Sequence, residues 1–209
     1  MASCRATVSF MATGQSDDGL QSYLDEDPGA RPLSDWLWGL SRWGTLVLVR
    51  AALAIAEACV ERWRRGAPRD EGWQHHFASS TLPQDALTAL CAWLERGGRP
   101  GDARLESCTE ELRDLIGNAE FFDDEASGGG SEREQAVASG RAILMALEAS
   151  QWTAERATED VPDEAERQAI ASSGPAQELL AGARAYRHAL PESSEAKVRE
   201  LIRDALRAK

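Results

Sequence analysis

The chain has 209 residues, 43% of them apolar, and 35 acidic against 23 basic side chains give a formal charge of −12. That is enough apolar material for a buried core in one domain or two small ones. The negative charge disfavours nucleic acid and anionic membrane surfaces as direct partners and favours a basic protein. Two Tyr and four Phe are few, while Ala, Leu, Glu and Arg abound, so the composition predicts an all-α protein.

Cys4, Cys59, Cys91 and Cys108 contain no CxxC pair, and three of them fall on apolar faces of predicted helices. They read as reduced core residues of a cytoplasmic protein. Residues 1 to 14 lack the charged and apolar regions of a secretory signal. The apolar run at 46 to 60 is too short to span a membrane and is interrupted by Arg50 and Glu57.

Residues 1 to 32 read as an irregular arm with one short helix at 17 to 24, because Asp, Gly and Pro interrupt each apolar pattern. Leu33, Trp36, Leu37, Leu40 and Trp43 then recur at helical spacing behind Ser34 as N-cap, and Trp38 falls off that stripe. Gly44 separates this helix from Thr45 to Arg65, TLVLVRAALAIAEACVERWRR. A helix apolar on nearly all sides needs neighbours on nearly all sides, so this one should be central. Gly66 suits its C-cap.

A loop follows that carries Trp73, His75 and His76. Two adjacent loop histidines offer two metal ligands at best, so no metal and no cofactor is expected. Thr81 and Pro83 start a helix that Gly97 closes, with Leu87, Leu90, Cys91 and Leu94 on one stripe. Asp102 caps the next, whose stripe is Leu105, Cys108, Leu112, Leu115 and Ile116.

From Asn118 to Ser131 the composition turns acidic and then Gly-rich, which marks a linker. The chain thus divides into an arm (1–32), a first helical half (33–120), a linker (121–131) and a second helical half (132–209). Ser131 and Glu134 form a capping box that opens a long helix over 132–157. Pro162 starts a short acidic helix, and Gly174-Pro175 should end it before the next. Ser193 or Ser194 caps a last helix with Val198, Leu201, Ile202, Ala205 and Leu206 on its stripe.

Setting Arg50 against Arg141 aligns RAALAIAEAC with RAILMALEAS at five of ten positions. DALTALCAW and ELLAGARAY, and then EELRDL and LIRDAL, follow in the same order. The expected architecture is a helical bundle in which a duplication would make two three-helix halves, packed through their long apolar helices. Arg50 and Glu57 share a face, and Arg141 and Glu148 repeat the arrangement. Buried charges must pair, which predicts two reciprocal bridges, Arg50 to Glu148 and Arg141 to Glu57. A polar interhelical pocket able to hold a ligand is the other reading.

No nucleophile stands in a motif with any of the three histidines, and Gly128 to Gly130 lacks the Lys and Ser or Thr of a phosphate loop, so no catalytic residue is expected. The acidic run from Glu106 to Glu125 is either a solvated face or a docking surface for a basic protein. In the second case Glu110, Glu111, Asp114, Asp123 and Asp124 would steer association, and Trp38, Phe121 and Phe122 would anchor it.

The succession DWLWGLSRW, RAALAIAEACVERW, a loop and DALTALCAWLERGG resembles the predicted all-α immunity proteins of bacterial polymorphic toxin systems, over roughly residues 33–97. Leu82-Pro83 stands where that family has Arg-Pro. The resemblance implies a non-enzymatic protein that binds and neutralises a cognate toxin, and it transfers no contact residues. A structural or adaptor subunit of a larger assembly and a small-molecule sensor are the alternatives.

Overall fold

Apolar side chains at three- and four-residue spacing become eight α-helices among the residues that the computed structural model describes, 17–27, 29–66, 81–99, 101–123, 132–152 and 164–208. They are α1 (Asp17–Leu24), α2 (Leu33–Gly39), α3 (Thr45–Gly66), α4 (Leu82–Glu95), α5 (Ala103–Asp123), α6 (Glu132–Gln151), α7 (Glu164–Ala189) and α8 (Glu195–Arg207), with a 3₁₀ turn at Leu40–Trp43. No strand occurs among the described residues, so the fold is all-α.

The apolar run of α3 is buried without a break from Val47 to Ala56. Its neighbours explain why: α6 lies along it, α7 packs on both α3 and α6, and α4 and α8 cover other sides. The two long helices are packed together, as their composition predicts. Small faces allow this closeness, since a Cβ at Gly140 of α6 would lie 2.8 Å from the Trp63 ring of α3. Fully buried residues such as Ile55 and Leu147 each stabilise the fold by roughly 1.5–3 kcal/mol.

Several boundaries follow the sequence. Gly44 breaks the chain before α3 at φ 85°, a left-handed conformation that suits glycine. Asp102 Oδ1 accepts the Leu105 N–H at 3.1 Å at the start of α5, and this hydrogen bond, with Arg96 nearby, holds its carboxyl below the usual range. Of the two serines before α8, Ser194 is the cap, accepting the Lys197 N–H at 3.2 Å. The capping box at Ser131 lies outside the described residues. Ser34 does not cap α2, which begins at Leu33 behind Pro32.

Three expectations are corrected. Gly174-Pro175 does not punctuate: α7 runs through it, with Pro175 inside the helix. An interior proline costs about 3 kcal/mol, and tertiary packing offsets this. Trp152 lies so close over Gly174 that a Cβ there would be 2.2 Å from the ring, and Pro175 is buried. The linker expected from 121 starts too early, because α5 continues to Asp123.

The third correction concerns the arm. Part of this arm packs into the core: Leu20, Tyr23 and Leu24 are buried, and the Tyr23 hydroxyl donates to the Trp36 carbonyl at 2.8 Å. The C-terminal helix ties this segment down. Arg199 is 1% exposed, donates to the Arg31 carbonyl at 2.6 Å, and stacks over Trp36 at 5.0 Å from the ring centroid. Arg203 bonds to the Glu26 carbonyl and Arg207 to the Asp25 carboxylate.

One core cluster runs through both halves, and the duplication is not established by the packing. Arg50 is buried whereas its counterpart Arg141 is exposed. The α4–α5 pair packs on itself, while α8 packs chiefly on α3.

Candidate functional site

The buried stripe of α5, Leu105, Thr109, Leu112 and Ile116, faces α4 and α6, so its opposite turns face water. Glu110, Glu111 and Asp114 are all exposed there. Glu111 accepts the Ser107 hydroxyl at 2.8 Å, and none of the three makes an ion pair among the described residues. Phe121, Phe122 and Asp123 are helical, but their side chains lie outside the described residues, as does the whole of Asp124.

Trp38 is 43% exposed, a large apolar side chain in water. It rides on α2, which packs on α7, whereas α5 packs on α4 and α6. The structure therefore gathers the α5 carboxylates on one helix and puts Trp38 on a different element. Trp36, Trp63 and Trp93 are core residues, and Trp43 and Trp152 are half-buried.

Glu148 pairs with Arg113 of α5 at 3.0 Å, where Arg50 was expected. Arg50 and Glu57 instead line a recess of about 300 Å³ with Leu94 of α4 and Leu201 and Asp204 of α8. Arg141 is exposed and lines another opening, a cleft of about 630 Å³ between α5, α6 and α7. A seven-residue spacing puts two charges on one helical face, but helix rotation decides which neighbour that face meets.

Next to this cleft, Glu148, Gln151, Trp152 and Glu178 form a smaller recess that shares Arg113 with it. Burial and then the Glu148 carboxylate push the Glu178 carboxyl above its usual range, and the Trp152 indole N–H, 3.4 Å away, pulls the other way. A carboxyl whose folded-state pKa is raised stabilises most below its unfolded value of about 4.3 and loses that contribution as pH rises through the folded value. Glu178→Gln, with Glu148, Arg113 and Trp152 still facing it, should therefore melt higher than the parent at pH 7. The difference should vanish near pH 4. A Gln variant that melts lower at pH 7 would contradict this reading of the recess.

Burial pushes the Cys59 thiol up to about 12, which makes it a poor nucleophile. Among the described residues no group of three or more His, Cys, Asp or Glu is placed to hold a metal. His75 and His76 lie outside them. No described helix is long and apolar enough to cross a membrane.

Sequence reasoning missed Arg199, which sits on a stripe read as wholly apolar, and the meeting of Arg113, Arg141, Arg184 and His188 at one cleft. Each of those residues recurs at helical spacing with small apolar residues, but nothing local says that the three helices converge. Comparisons with family models, characterised proteins and solved structures find no match, so the functional reading rests on this chain's own residues.

Proposed function

We propose that the chain is a non-enzymatic cytoplasmic protein-binding module, an immunity-type inhibitor that neutralises a basic toxin or effector. The observation that supports it is the α5 face, where Glu110, Glu111 and Asp114 stand exposed with no basic partner among the described residues. Exposed carboxylates of one sign cost the fold a little repulsion and speed encounter with a cationic surface. Trp38 is a separate apolar contact on α2.

Capture of the full chain from its native cells, followed by mass spectrometry, should return one basic protein. The triple charge reversal Glu110→Lys, Glu111→Lys and Asp114→Lys, all at exposed positions, should leave the melting curve nearly unchanged. It should weaken that complex by about 10- to 100-fold, mostly through the association rate. Unchanged affinity sinks the acidic-face reading, and recovery of a multisubunit complex favours an adaptor role instead. A second reading, a small-molecule sensor, draws support from the cleft between α5, α6 and α7.

A further inference from the structure

The contacts that hold α1 differ in kind from those that hold the core. α1 is only eight residues long, too short to persist as a helix undocked, and it lies along none of the other helices. Long side chains bridge the distance instead. Trp36 and Trp43 meet the Tyr23 ring at 6.1 and 4.9 Å between centroids, and the Tyr23 hydroxyl donates to the Trp36 carbonyl. Arg203 and Arg207, one turn apart on α8, reach the Glu26 carbonyl and the Asp25 carboxylate. They arrive just past the C-terminal end of α1, where the helix dipole favours cations. The joint also gathers buried polar atoms: Glu26 Oε2, Trp36 Nε1, Trp43 Nε1 and Arg203 Nε have no hydrogen bond among the described residues. Each of these costs stability while the joint is closed and regains hydration when it opens. Burial of Leu20, Tyr23 and Leu24 works the other way and holds the joint shut.

We propose that α1, with Asp25 and Glu26, is a strap that detaches as one unit while α2 to α8 stay folded. Arg203 and Arg207 are its latch. Arg199 stands outside the latch, because its hydrogen bond goes to the Arg31 carbonyl just before α2. Detachment bares the side of Trp36 and Trp43 that Tyr23 covers, on the same stretch of chain as the already exposed Trp38. The strap therefore sets how much aromatic surface α2 and its 3₁₀ turn present to water.

Hydrogen exchange of the full chain, followed by mass spectrometry, tests this. The helix-bonded amides of α1 should exchange together, at least about 100-fold faster than those of residues 47–56 in α3, yet slower than in an unstructured chain. Arg203→Gln combined with Arg207→Gln should speed α1 exchange by about tenfold or more, the worth of a charge-assisted hydrogen bond. Ile55→Val trims the buried face of α3 and separates local from global opening. It should speed α3 exchange by about two- to tenfold and leave α1 exchange as it is in the parent. If the double arginine variant does not fold, the conservative Ile55→Val decides alone. Exchange of α1 and α3 at one rate, or equal acceleration of both by Ile55→Val, overturns the proposal, and so does α1 exchange at the rate of an unstructured chain in the parent.

Discussion

Arg199→Ala should lower stability by about 3 kcal/mol, the range for emptying a large buried site. Arg199 is 1% exposed, its Nη2 donates to the Arg31 carbonyl, and its guanidinium covers the Trp36 ring. Alanine removes all three contributions and leaves a cavity beside a fully buried tryptophan. Burial, and then neighbouring Arg203, pull the Arg199 pKa down, yet an arginine stays cationic at neutral pH.

A charge buried this way carries a desolvation cost, and its Nη1 has no hydrogen-bond partner among the described residues. Arg199→Met, which keeps much of the volume and discards the charge, should therefore cost only about 1 kcal/mol. Urea unfolding of both variants checks this. For a chain of this length the alanine variant should melt about 6–12 °C lower. Equal losses in the two variants would mean that the cation and its hydrogen bond, not the filled volume, hold α8 against α1 and α2.

Gly140→Ala is the second large effect, and its sign is the informative part. In an exposed helix interior the substitution gains about 1 kcal/mol. Here the new methyl would meet the Trp63 ring at 2.8 Å and Ile116 Cγ1 at 3.2 Å. Both neighbours are 3% exposed, so neither swings into solvent. Overpacking costs about 1–3 kcal/mol, which leaves a net loss of about 0–2 kcal/mol. With Trp63→Leu in the background the nearer clash partner is gone and only Ile116 at 3.2 Å remains, so Gly140→Ala should then stabilise by up to about 1 kcal/mol. The same loss in both backgrounds would show that close approach of α3 and α6 at Gly140 is not what restricts this position.

Local chemistry explains why so much of the fold was legible. The apolar stripe of α4, the cap at Asp102, the break at Gly44 and the exposure of Trp38 each depend on residues within a turn or two of one another. Where the reading failed, the deciding neighbour was distant in sequence. Trp152 over Gly174 carries α7 through a proline that local propensity treats as a stop. Tyr23, Trp36 and Arg199 turn an Asp-, Gly- and Pro-rich segment into core.

The candidate sites divide along the same line. Glu110, Glu111 and Asp114 were readable as exposed carboxylates because the buried stripe of α5 leaves them no other side. The partner of Glu148 was not, since Arg113 stands 35 residues away on another helix. From its sequence alone this chain is an all-α, acidic protein with a buried long helix and an exposed tryptophan, because composition and 3.6-residue periodicity act within each helix. Which charges meet, which openings form and how the C-terminal helix clamps the first two are decided by the rotation and crossing of packed helices. Those are set by side-chain volumes summed over the whole core, a quantity no single stretch of sequence contains.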